Sequence, residues 1–128
     1  MTIAEVSKKY DISQDTLRYY ERVGMIPPVT RTSGGIRDYQ EEDCNWVGLA
    51  KCMRGAGLPI EVMIEYVHLY QEGDSTIAAR LQLLAAQREV LVEQRRQIDD
   101  MLDRLNYKIA RYEIAVETGK LSWAKSDD

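Results

Sequence analysis

The sequence predicts a mainly α-helical fold, a winged helix-turn-helix followed by one long helix. Three observations carry that expectation. Two short amphipathic segments are separated by a tight turn at Asp11-Ile12-Ser13; a Gly34-Gly35 pair divides two short extended arms; and no proline or glycine interrupts the chain from Thr76 to Glu117.

Each element has its own local cause. Thr2 with Glu5 three residues on is a capping box, and Ile3, Val6 and Tyr10 share one face of the helix it opens. Ser13 is a good cap for a second helix, Asp15 suits its positive end, and Gly24 is placed to stop it. Two short helices across so brief a turn make a helix-turn-helix. After Pro27-Pro28, the stretch from Val29 to Tyr39 reads as a wing. A third helix starts near Glu41, with Trp46, Leu49, Ala50 and Met53 as expected core contacts, and Gly55 and Gly57 end it. Pro59 suits the first position of a fourth, whose apolar face is Ile60, Met63, Ile64 and Val67, and Gly73-Asp74-Ser75 closes it and caps the next.

The final run carries Ile77, Leu84, Leu91, Ile98, Leu105 and Tyr112 at seven-residue intervals, with Leu81, Leu102, Ile109 and Val116 widening the stripe. A helix of roughly 40 residues is about 60 Å long, too long to bury that stripe on so small a domain. The chain has no second long helix to pair with it, so a seven-residue repeat points to a homodimeric coiled coil. The expected organisation is a winged helix-turn-helix domain over 1–74 with its wing at about 29–39, a dimerisation helix over 75–118 and a short, mobile polar tail over 119–128.

The net charge of −4 and pI near 5.1 argue against nucleic acid as a partner. Local charge matters more than the total. Arg18 and Arg22 fall on the second helix and Arg31 and Arg37 on the wing, with Tyr19, Tyr20 and Tyr39 among them. Arginines neutralise phosphates, and tyrosine hydroxyls add hydrogen bonds to the same backbone. Gln14 and Thr16 stand at the helix start, where side chains reach base edges. Candidate DNA contacts are therefore Gln14, Thr16, Arg18, Tyr19, Tyr20, Arg31, Arg37 and Tyr39, with one of the adjacent Tyr19 and Tyr20 expected to pack inward. The acid that sets the net charge, such as Glu41-Glu42-Asp43 and Asp99-Asp100, is expected outside the reading helix and wing. The alternative for each residue alone is a solvated face or a core aromatic.

Taken together, Thr16-Leu17-Arg18-Tyr19-Tyr20-Glu21, Gly24-Met25-Ile26-Pro27, Arg31, Gly35, Arg37 and Tyr39, then Leu58-Pro59-Ile60 and the long helix, resemble the MerR family of regulators through about Glu117. The resemblance implies an antiparallel coiled-coil dimer on a pseudo-palindrome between the two promoter elements. It implies distortion of an over-long spacer so that RNA polymerase engages both.

The sensor is narrowed by what the sequence lacks. Metal-sensing relatives carry cysteines at the start of the long helix and after it, whereas no cysteine follows Cys52 here. One histidine, His68, and two cysteines eight positions apart make no metal cage, and too few thiols exist for an iron-sulfur cluster. No cofactor is expected. About ten residues follow the helix, too few for the ligand domain of multidrug-sensing relatives. Cys52, within Leu49–Gly57, resembles the single cysteine of the AdhR/NmlR branch, which responds to aldehydes or nitrosative stress. Lys51 and Arg54 beside it would favour the nucleophilic thiolate. A cysteine on so apolar a helix is otherwise an inert packing residue. Cys44, next to Glu42 and Asp43, reads as structural, and His68 as a surface or packing residue.

Other classes fit less well. One histidine leaves little scope for nucleophilic catalysis, so an enzyme is not expected. A coiled-coil adaptor without DNA binding suits the net charge but not the clustered arginines, and a regulator with a non-covalent effector stays open. No apolar run reaches membrane-span length and no signal-peptide core opens the chain, so the expected location is the cytoplasm.

Overall fold

The computed structural model describes residues 1–123. Its elements are α1 (Ile3–Tyr10), α2 (Gln14–Val23), α3 (Glu41–Gly55), α4 (Ile60–Glu72), a single 3₁₀ turn (Asp74–Thr76) and α5 (Ile77–Thr118). The capping signals act as the sequence implies. Thr2 Oγ1 accepts from the Glu5 amide while the Thr2 amide donates to Glu5 Oε1, closing the box at α1. Ser13 Oγ accepts from the Thr16 amide at the start of α2. Asp11 takes a left-handed φ of 54° to end α1, and Gly24 one of 85° to end α2. Val6, Leu17, Met25, Ile26, Val47 and Met63 are all but fully buried between α1, α2, α3 and α4.

The wing is slighter than two strands. Thr32 and Gly35 close a turn, Gly35 at φ 83°, and Arg31 faces Arg37 in one isolated antiparallel bridge. The Thr32 amide donates to Ile36 O and the Asp38 amide to Thr30 O, after which the Tyr39 amide turns to Met1 O. So few cross-arm bonds cannot propagate a ladder, and no strand forms among the described residues.

Two core expectations for α3 are corrected. Its packed face is Cys44, Val47, Ala50 and Met53. Trp46 is half-buried at the edge of that face, stacked edge-on against Tyr70 at 5.1 Å and tilted against Tyr66 at 5.7 Å, and Leu49 beside it is exposed. Pro59 stands one position earlier than expected, as the cap before α4.

The joint between α4 and α5 is built from hydrogen bonds. The buried Thr76 hydroxyl lies 2.6 Å from Leu69 O and 2.8 Å from Gly73 O. Arg80 donates from Nε to that hydroxyl and from Nη2 to Gly73 O, with its guanidinium over the Tyr70 ring. These groups serve the carbonyls that a helix C-terminus leaves without partners.

The chain divides into two compact units, Met1–Gln87 and the part from Arg88 on. No residue of α5 is buried, and Ile77, Leu81, Leu84, Ile98, Leu102, Leu105, Ile109, Tyr112 and Val116 are all exposed, with Leu91 half-buried. In the second unit Gly119 ends the helix at φ 76°. Arg111 then donates to Ser122 O and Oγ, and the Trp123 ring meets Tyr112 edge-on at 5.9 Å. The expected mobile tail is thus laid back on the helix as far as Trp123; its remainder, 124–128, lies outside the described residues.

Candidate nucleic-acid interface

Helix α2 presents Gln14, Arg18 and Tyr19 to solvent, with Thr16 half-buried. Arg18 is folded along its own helix: Nη1 donates to Asp15 Oδ1 at 3.0 Å and Nη2 to Gln14 Oε1 at 3.3 Å. Pairs this exposed contribute little and exchange readily for a phosphate. The Thr16 hydroxyl accepts from Ser13 Oγ, so it serves the cap. The Arg22 guanidinium lies over the Tyr19 ring at 5.4 Å.

The wing arginines are organised by a residue the sequence reading passed over. Glu21 Oε1 accepts from Arg37 Nε at 2.7 Å and lies 3.6 Å from Arg31 Nη2. Its other oxygen accepts from the Val29 amide at 2.9 Å. The Glu21 side chain is only 12% exposed. Arg31 also donates from Nη1 to Gly35 O. Glu41-Glu42-Asp43 and Asp99-Asp100 do lie outside α2 and the wing, on α3 and α5, but Glu21 on α2 holds both arms of the wing. The available signal was that Glu21 is the lone acid between Asp15 and Asp38, amid four arginines.

Of the tyrosines, Tyr19 is exposed and Tyr20 packs inward, so Tyr20 is not offered to a ligand. Tyr39 is also removed from the surface: it is 1% exposed, and its hydroxyl has no hydrogen-bond partner. Large rings contribute more by filling the core than by one backbone contact. Burial raises both phenols above their usual range; nearby Arg54 pulls Tyr20 back, and Arg37 pulls Tyr39 back.

Cys52 is exposed on α3, whereas Cys44 is buried. The cations flanking Cys52 are already engaged. Lys51 Nζ donates to Tyr10 O at the end of α1, and Arg54 Nη1 donates to Leu58 O at 2.9 Å. They brace the last turn of α3 against the α1–α2 turn and the α3–α4 loop. His68 is exposed and pairs with Glu72 one turn along α4 at 3.0 Å. No group of three or more His, Cys, Asp or Glu able to hold a metal ion occurs among the described residues. Among those residues no helix is long and apolar enough to cross a membrane.

An exposed helix carrying arginine and amide side chains, joined to an arginine-bearing wing, fits a major groove and its flanking phosphates. Comparison with known proteins agrees. Residues 1–69 match the MerR HTH family regulatory protein family, and residues 45–107 match the MerR DNA-binding family. The chain is 56% identical over 93 residues to the HTH-type transcriptional regulator AdhR of Bacillus subtilis, covering 73% of this chain and 66% of AdhR. It is similar to HiNmlR, a MerR family regulator lacking the sensor domain, solved bound to promoter DNA (TM-score 0.82, 32% identity, 94% of this chain and 95% of that one). A Listeria monocytogenes protein assigned to the same family superposes with TM-score 0.89 at 41% identity, over 93% of this chain and 90% of its own. These relatives are transcription regulators. The chain belongs to the MerR family of DNA-binding transcription regulators, in its AdhR/NmlR-like branch.

Proposed function

We propose that this regulator works as an antiparallel homodimer on promoter DNA in the cytoplasm, distorts the promoter so that RNA polymerase engages it, and is switched by covalent modification of Cys52. Residues 1–74 form the DNA-binding domain, 75–118 the dimerisation helix and 119–128 its tail. The observation that carries the dimer is the uncovered stripe from Ile77 to Tyr112 on α5, which a second copy would remove from water. Gln14, Thr16, Arg18, Tyr19, Arg31 and Arg37 contact the DNA. Tyr20 and Tyr39 are withdrawn from that set because they are buried.

Exposure of Cys52 supports its role as sensor, since an electrophile must reach the sulfur. With an aldehyde, the thiolate sulfur bonds to the carbonyl carbon, the C=O π pair moves to oxygen, and oxygen takes up a proton to give a hemithioacetal. The adduct sits between the two braces at Lys51 and Arg54, and displacing either shifts α3 against α1 or α4. Any difference in the adduct's free energy between two arrangements of the DNA-binding heads biases their populations. The test is a promoter reporter exposed in parallel to formaldehyde, methylglyoxal and a nitric-oxide donor. Cys52→Ser keeps operator binding and loses the response, while Cys44→Ser keeps both. A parent-like response from Cys52→Ser refutes the thiol switch.

A second reading, a non-covalent effector, draws on a cavity of about 300 Å³ between the end of α2 and α4, lined by Gly24, Ile26, Ile64, Val67 and His68 among others. That volume is at the lower end for small-molecule sites. Induction that survives Cys52→Ser and is lost in Ile64→Trp would favour it.

A further inference from the structure

We propose that Glu21 is a specificity-determining residue. Its carboxylate clamps the two wing arginines so that they answer to the operator's phosphates and not to any phosphate. The inference rests on the wing meeting DNA, as proposed above.

The geometry is economical. Arg31 and Arg37 are the facing pair of the wing, one on each arm, and Val29 begins the segment that leads into it. A single carboxylate on α2 holds all three, at 3.6, 2.7 and 2.9 Å. Glu21 therefore helps to set the distance between the reading helix and the wing, beside the buried Val29 and Tyr39 that anchor the wing's ends. The wing has no ladder to fix that distance itself, since only a few backbone bonds join its arms. The Val29 amide needs only a neutral acceptor. A negative charge at this position is explained by the two guanidinium groups.

The consequence follows from how charge acts on DNA. Binding without sequence preference is almost entirely electrostatic, and each neutralised phosphate adds about 0.9 to the salt slope. Two arginines on loose arms would seize phosphates in any register. Held by a shared carboxylate, they carry less net charge and a fixed spacing. That lowers non-specific affinity, and pre-ordering reduces what specific binding must spend on immobilising the wing. The carboxylate also repels phosphates that arrive out of register, a repulsive element of the kind specific interfaces use.

The experiment measures binding of the full-length protein to its operator and to a scrambled duplex across a salt series, for the parent and Glu21→Gln. The amide keeps an acceptor for Val29 and removes the charge. Sequence-selective binding by the parent is required; its absence overturns the DNA reading and this proposal together. With a selective parent, Glu21→Gln is expected to bind scrambled DNA more tightly, with a salt slope steeper by about 1–2 units, one for each released arginine. The operator-to-scrambled ratio is expected to fall at least tenfold. Amide exchange at Thr32 and Asp38, which bridge the wing arms, is expected to quicken while exchange in α1 stays as in the parent. Glu21→Asp keeps the charge and draws it back by one methylene; it takes the same measurements if Glu21→Gln does not unfold cooperatively. A folded variant with a ratio within twofold of the parent overturns the proposal and leaves the DNA reading standing.

Discussion

Arg18 Nη1 lies 3.0 Å from Asp15 Oδ1, one turn back along α2, with both side chains open to solvent. The residue proposed to lead phosphate binding is thus parked on the first turn of its own helix. Arg18→Ala should weaken binding to operator and scrambled DNA alike and reduce the salt slope by about one unit. Asp15→Asn should strengthen both. Fluorescence titration across a salt series checks the pair, and an unchanged slope in Arg18→Ala removes Arg18 from the interface.

Tyr39 gives the opposite expectation. Its hydroxyl is buried without a partner, so Tyr39→Phe relieves an unmet polar group and should raise stability by about 1–3 kcal/mol, with DNA binding unchanged. Chemical denaturation measures the first and operator titration the second. A loss of affinity would restore Tyr39 to the contact surface.

The same burial sets an alkaline limit. The phenols of Tyr20 and Tyr39 are raised above 10.0 in the folded state, so the unfolded chain releases their protons first. Stability from this source is complete below about pH 10 and is lost as pH climbs through the higher folded values. Melting temperature should fall over that range, and less steeply in Tyr39→Phe. Parallel slopes in the two proteins would contradict the assignment.

For the α4–α5 joint, Thr76→Val replaces the hydroxyl by a methyl. Arg80 Nε and the Leu69 and Gly73 carbonyls then lose a buried partner. The expected cost is about 1–3 kcal/mol in the unfolding free energy. A change below about 0.5 kcal/mol would mean that water replaces the hydroxyl there.

Assembly is tested at Ile98, an exposed seam position in the middle of α5. Ile98→Asp should sediment as a monomer at micromolar concentration and lose operator binding, because two half-sites need two linked heads. A parent that is itself monomeric would defeat the coiled-coil reading.

Much of this fold is readable from local chemistry. Thr2 with Glu5, Ser13, Gly24 and Gly119 act on their immediate neighbours, so the ends of the first two helices and of the last follow from short strings of residues. What escaped is non-local. Glu21 meets Arg37 sixteen positions away, and nothing in the spacing announces that pairing. Tyr39 carries both a ring and a hydroxyl, and composition does not say which decides its place. Trp46 and Leu49 have apolar side chains that rim a groove with Tyr66 and Tyr70, because the packed face of α3 is shared among Cys44, Val47, Ala50 and Met53. The exposed Cys52 among apolar neighbours was likewise undecidable until the helix was seen from outside.

The two tryptophans fall one in each compact unit: Trp46 beside Tyr66 and Tyr70, and Trp123 against Tyr112 with Lys108 4.6 Å from its ring. The chain therefore carries its own pair of optical probes. In Trp123→Phe the emission reports only the unit that holds Cys52. In Trp46→Phe it reports only the far end of the long helix, under the quenching influence of a neighbouring cation. Recorded side by side after an electrophile is added, the two signals time the arrival of a disturbance in each unit without any attached dye.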